Sequence, residues 1–157
     1  MIDTFKLAGF ARLKLGHRED GKLIIDGDSG WCGPNTIVNL GFQDYIMASM
    51  GAVAGSKQIS NMQLGTGTAP NASHTDLDGE TAARKTTSNS IIASKTLQMT
   101  AEWESSDHPG GTPTLKNVGL FNTSSGGTLC CGQTYATSQW QSNQGLSATY
   151  QLRGGTA

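Results

Sequence analysis

Three short stretches carry residues whose types and spacing could do chemistry. Residues 61–80, NMQLGTGTAPNASHTDLDGE, place Gly65 and Gly67 one residue apart, then Thr66, Thr68, Pro70 and acids at alternate positions, Asp76, Asp78 and Glu80. That composition suits a phosphate cradle or an acidic cation loop. Residues 26–30, DGDSG, set Ser29 between Asp28 and Gly30, with His17, Asp20 and Asp26 close upstream. Trp103 lies between Glu102 and Glu104, an aromatic beside paired carboxylates, as sugar chemistry would use them.

Spacing argues against each. A dinucleotide fingerprint needs G-x-G-x-x-G leading into a helix. Here the third glycine position is Pro70, no helical periodicity follows, and the Gly-Lys-Ser/Thr of a phosphate loop is absent. An EF-hand loop needs Asp-x-Asp-x-Asp-Gly, a distant Glu and flanking helices. Neither Asp76-x-Asp78-Gly79 nor the stretch at Asp26 supplies them. GDSG also surrounds the nucleophile of trypsin-like proteases, but a triad is defined by geometry and not by four letters. Every candidate partner of Ser29 precedes it within a dozen residues. On an alternating strand Glu102 and Glu104 share one face and Trp103 takes the other, a poor sugar platform. His17, His74 and His108 fall in expected loops, exposed to solvent. The reading is therefore no catalytic residue, no cofactor and no metal, with 65–80 a flexible connection punctuated by Pro70, Asn71 and Ser73.

The bulk composition agrees. The chain has 157 residues, a length suited to one domain, with only 15% charged residues and 21 glycines, a mixture that favours short strands and turns over helical bundles. A net charge of -1 supplies no field for nucleic acid. Neither a secretory leader nor a bilayer-length apolar run is visible, so the expectation is a soluble, cytosol-made protein with no membrane partner. The three cysteines, Cys32, Cys130 and Cys131, are an odd number, which argues against a closed disulfide framework, and Cys130 and Cys131 are expected to be free thiols. Cys130 and Cys131, as neighbours on a strand, would point to opposite faces.

Hydropathy periods place the elements. Residues 5–15 alternate as a half-buried strand, Asp20-Gly21 marks a turn, and 23–25 return, giving an N-terminal hairpin over 5–25. Val38, Phe42, Tyr45, Ile46 and Met50 share one helical face, which predicts one helix over 39–50. Strands follow at 58–64, 82–87, a long 91–103, 115–121, 128–135 and 146–152, so the main strands occupy 58–152. The expected core includes Phe42, Ile46, Leu97, Met99, Val118, Leu129, Tyr150, Leu152 and one of Leu120 and Phe121, whose opposite directions leave the other for a partner or a second core. Trp140, in polar surroundings, is the tryptophan expected at the surface. The fold class is all-β: a single antiparallel β-sandwich over 1–157, with one short helix.

Several segments in order resemble a family of small tailed-bacteriophage virion proteins. KLIIDGDSGWCGPNTIVNLGFQDYI resembles their N-terminal strand, turn and helix entry. MQLGTGTAPNASHTDLDGE resembles their hallmark aLGTGT-xAP-xxxDT-xLxxE. LKNVGLFNTSSGGTLCCGQTY resembles their i-xExGLFN-xxxGGTLLA hairpin, with Asn117 where an acid is usual and CC in place of LL. GLSATYQLRG resembles their last strand. The resemblance spans residues 22–152. It implies a jelly-roll-like structural subunit, most simply a capsid cement or decoration protein assembled in the host cytoplasm and placed on the virion surface. Its partners would be the major capsid protein and copies of itself, as a dimer or trimer. A tail, baseplate or fibre component is the alternative. The expected contact surfaces are the hairpin 5–25 and a set comprising Gly65, Thr66, Gly67, Thr68, Pro70, Asp76, Asp78 and Trp140.

Overall fold

The structure, a computed structural model, describes residues 5–156. Strand β1 (Phe5–Glu19) turns Ala11, Leu13 and Leu15 inward, and all three are buried. Asp20 and Gly21 both take positive φ, 49° and 77°, which closes a two-residue hairpin of the type I′ kind into β2 (Lys22–Asp28). The last strand, β10 (Gly145–Thr156), pairs along β1 with its own buried row, Leu146, Ala148, Tyr150 and Leu152.

The remaining strands are β3 (Thr36–Ile37), β4 (Asn61–Gly65), β5 (Glu80–Thr86), β6 (Ser88–Ala93), β7 (Thr96–Trp103), β8 (Thr114–Phe121) and β9 (Leu129–Gln139). They build two five-stranded sheets, one in the order β2-β1-β10-β7-β6 and the other β3-β9-β8-β4-β5, with every pairing antiparallel. The first strand pairs with the last, and β3 pairs with β9 in the opposite sheet. The outer pairs are thus nested across the two sheets of an all-β sandwich. Thr87 alone separates β5 in one sheet from β6 in the other.

The expected long strand over 91–103 is a hairpin. Ser94 and Lys95 turn between β6 and β7, and Ile91 faces Leu97 across them. A register shift between Ile91 and Ala93 keeps inward residues on both arms at the same sequence parity, so the alternation runs unbroken through the turn. The helix occupies 39–50 as expected, but Gly41–Met47 is wound as π-helix before an α-helical turn at Ala48–Met50. The wider turn points Gly41 and Tyr45 inward and leaves Phe42 exposed at 46%, so Phe42 is not core. Among the described residues no helix is long and apolar enough to cross a membrane.

Leu120 and Phe121 fill two different cores. Between the sheets, Leu120 packs with Leu13, Met62, Met99, Trp103 and Tyr150. On the outer face of the second sheet, Phe121 packs with Val38, Leu77 and Leu129. Cys130 is the extra residue of a β-bulge, since Leu120 pairs with Cys131 and Phe121 with Leu129. The bulge brings both cysteines into the main core, against the expectation of opposite faces, and all three cysteines are free.

Candidate functional site

Segment 65–80 lies on the outer face of the second sheet and is fastened along its length. Leu77 drives into the smaller core at 4% exposure. Pro70 is buried against Gly132 of β9. The carbonyl of Ala72 accepts from Asn39 N–H at 2.8 Å, and that of Thr75 accepts from Leu129 N–H at 3.0 Å. Near its base, the fully buried Asn117 of β8 donates from Nδ2 to the carbonyls of Thr68 (2.7 Å) and Asp78 (3.0 Å). The Asp78 carboxylate accepts from Thr68 N–H at 2.8 Å and Thr68 Oγ1 at 3.0 Å, bonds that hold its pKa below the ordinary carboxylate range. Thr66 N–H donates to the carbonyl of Gly79 at 2.9 Å.

This geometry gives the two glycines a structural role. A Cβ on Gly67 would collide with the Asp78 carboxylate, and one on Gly65 with Asn117 Oδ1. The N–H groups of Thr66 and Thr68, which a phosphate would need, already donate within the segment. The segment is thus a clasp over the smaller core, where the sequence suggested a flexible connection. Arg84 of β5 seals one side of that core. Its guanidinium lies 3.5 Å from the Phe121 ring centroid and pairs with Glu80 at 2.7 Å.

Of the expected contact residues, Gly65 and Pro70 are buried in this clasp, and Trp140 is fully buried elsewhere. The Trp140 indole donates to the Gln144 carbonyl at 2.8 Å, and its ring meets His108 edge to face with centroids 5.0 Å apart. A polar neighbourhood in sequence misled here, because the β9–β10 connection folds back over the ring. The residues that reach solvent are Thr68, Asp76 and Asp78, with Thr66 and Gly67 half-buried. In the N-terminal hairpin β1 is interior to its sheet, so the accessible side is β2, where Ile24 and Ile25 are 41% and 43% exposed.

The other candidates are engaged in the fold. Ser29 Oγ accepts from Leu13 N–H at 2.9 Å and donates to the Gly30 carbonyl at 2.8 Å. The Asp28 carboxylate accepts from Arg12 Nε at 2.9 Å and Nη2 at 2.5 Å, and that fork lowers its pKa to about 2. His17 lies within β1 and not in a loop. It bonds Asp26 at 3.0 Å and Glu19 at 3.3 Å, which raises its pKa above the usual imidazole value, Asp26 acting most. Trp103 is buried at 1% and donates to the Ala83 carbonyl at 2.8 Å, while Glu104 pairs with Arg18 at 2.5 Å on the outer face. No group of three His, Cys, Asp or Glu side chains suited to a metal occurs among the described residues.

Sequence reasoning missed two features. One is a cleft of about 740 Å³ where the sheets part at one end, lined by Leu7, Ile37, Tyr45, Ile59, Leu97 and Leu152 among others. The other is the strand on its lip, β6, whose six residues are all exposed. The signal was the turn at Ser94-Lys95, hidden by the unbroken alternation. No protein-family model, no curated protein and no solved structure matches the chain.

Proposed function

We propose that the chain is a non-enzymatic structural subunit of a bacteriophage virion, a capsid cement protein that stabilises the head by bridging major capsid subunits. One observation carries the reading. The LGTGTAP segment and the VGLFN–GGTL hairpin, which bear the resemblance to phage virion proteins, are the two halves of the clasp. Leu77 meets Phe121 and Leu129, and Asn117 holds Thr68 and Asp78. The polar groups of these segments hold backbone in place, the work of a scaffold rather than of a reaction centre.

The fastening also suits binding by surface. A loop that orders only on its partner loses entropy at that moment, whereas one already ordered by folding does not. Thr68, Asp76 and Asp78 thus stand on a preformed rim. With a net charge of -1, many copies can sit side by side on a shell without strong mutual repulsion.

The test uses heads assembled without this protein. They should rupture at lower temperature and under milder osmotic shock than complete heads, and added purified protein should restore resistance. Quantitative mass spectrometry of virions should find hundreds of copies per particle, as many-fold head symmetry demands. Fully resistant heads with failed adsorption or tail assembly, and only a few dozen copies or fewer, would replace the cement reading with a tail or fibre role.

A further inference from the structure

The two sheets have four edges, and they are not alike. β2 carries Lys22, Asp26 and Asp28, and β5 carries Glu80, Arg84 and Lys85. β3 is only two residues long. Charge and short length are the usual devices that stop an edge from recruiting another strand. The remaining edge, β6, reads SNSIIA, with neither charge nor proline, and every residue is exposed. Ile91 is 71% and Ile92 49% exposed. The register shift lies at the turn end, between Ile91 and Ala93, and leaves Ser88–Ile91 in regular pairing with β7.

The cleft lies directly beside this edge. Asn89 and Ile91 line it, and Asn89 Nδ2 reaches across to the Ile59 carbonyl at 2.8 Å. A further strand added at β6 would extend the first sheet over the mouth of the cleft. Its inward side chains would meet the apolar wall that the parted sheets leave open. Phe5, another lining residue, stands 64% exposed on the same opening.

We propose that this added strand is β6 of a second copy, paired antiparallel about a two-fold axis through Ser90. An axis perpendicular to the sheet reverses strand direction and keeps the inward face inward. Asn89 and Ile91 then face Ile91 and Asn89 of the other copy, and each copy's inward β6 side chains help to roof the other's cleft. An antiparallel edge is complementary to itself in backbone hydrogen bonding. At β6 the paired segment holds no charged side chain, whereas β2 or β5 paired with itself would have to desolvate Lys22, Asp26 and Asp28, or Glu80, Arg84 and Lys85. The pairing does not depend on whether the protein sits on a head or a tail.

Sedimentation and crosslinking of the purified full-length chain test it. The unaltered chain should sediment as a dimer. Ile91→Lys should raise the dimer dissociation constant by about thirtyfold or more, the scale of losing a buried interface anchor. Its circular dichroism and melting should stay those of a folded monomer. Ile24→Lys on the β2 edge should leave the dimer intact. In a Cys32→Ser background, Ser90→Cys should form an intermolecular disulfide under mild oxidation. Directly opposed antiparallel residues have Cα atoms about 4.5–5.5 Å apart, within disulfide reach. A monomeric chain at the highest accessible concentration would overturn the proposal. So would a trimer, a dimer indifferent to Ile91→Lys and uncrosslinked at position 90, or equal loss of the dimer in Ile24→Lys.

Discussion

Replacing Asn117 by aspartate changes one NH₂ to an oxygen at a fully buried position. It is a sharp test of the clasp, because the amide there acts as a donor. Its Nδ2 lies 2.7 Å from the Thr68 carbonyl and 3.0 Å from that of Asp78, while Oδ1 has no partner. An ionised aspartate would set a charged oxygen against two carbonyl oxygens. Two hydrogen bonds of about 1 kcal/mol each are lost, and a buried unpaired carboxylate adds a desolvation penalty of several kcal/mol. The penalty is capped by protonation, so the introduced carboxyl must have a folded-state pKa above its unfolded value of about 3.9. The sign then follows. The penalty is absent below the unfolded pKa, grows as pH rises between the two values, and is complete above the folded one. Urea denaturation should show Asn117→Asp destabilised by about 3–5 kcal/mol at neutral pH, with much of the loss recovered in mild acid. A variant as stable as the parent at neutral pH, with no added pH dependence, would refute the donor assignment and with it the polar half of the clasp.

The other predictions concern packing, acid stability and thiols. Leu77→Ala should cost about 2–5 kcal/mol in chemical denaturation and open 65–80 to limited proteolysis, because Leu77 is the clasp's apolar anchor. Leu97→Ala, at a half-buried position lining the cleft, should cost less, about 1–2 kcal/mol, a loss read by the same denaturation. Asp28, whose pKa falls from 3.8 to about 2 beside Arg12, should contribute stability that is complete above 3.8 and lost as pH falls through about 2. Because both partners are about a third exposed, solvent screening leaves this at about 1 kcal/mol, and Arg12→Gln should flatten that part of the acid-denaturation curve. Under native conditions an alkylating reagent should modify Cys32 and spare Cys130 and Cys131, which are buried at 3% and 0% exposure, with all three reacting after denaturation. Mass spectrometry counts the adducts.

What the sequence disclosed, and what it hid, depends on how many residues decide each feature. Alternation in β1, β7 and β10 is long, so the sandwich and its main inward rows were legible, as was the turn at Asp20-Gly21. Failures came where one residue resets a period. The shift at Ile91–Ala93 preserved parity through a turn and disguised β6 and β7 as one strand. The bulge at Cys130 put two neighbouring cysteines into one core. The π-winding of Gly41–Met47 turned Phe42 outward from a face that α-helical spacing assigned to the core. The opposed directions of Leu120 and Phe121 did foretell a second apolar surface. That Leu77, over forty residues away, covers it is a tertiary fact that no local period encodes.

The smaller core limits how such a subunit can be used. It covers part of the outer face of the second sheet, while on the outer face of the first Arg153 lies over the Phe10 ring. On that face Gln98, Gln151 and Arg153 bond in a row, with Gln151 Nε2 to Gln98 Oε1 at 2.8 Å and Arg153 Nη2 to Gln151 Oε1 at 2.7 Å. Two candidate partner surfaces, the clasp rim on one sheet and the β6 edge on the other, share no residue. Self-pairing through β6 would therefore leave both clasp rims free. A dimer would then present two copies of the rim at a fixed separation. The second contact with a regular lattice would become intramolecular once the first had formed, and weak individual contacts would sum to firm attachment only where lattice spacing matches the pair. Ile91→Lys should accordingly weaken attachment to particles far more than it weakens the contact of a single rim. Equal attachment by the monomeric variant would show that the rim acts alone.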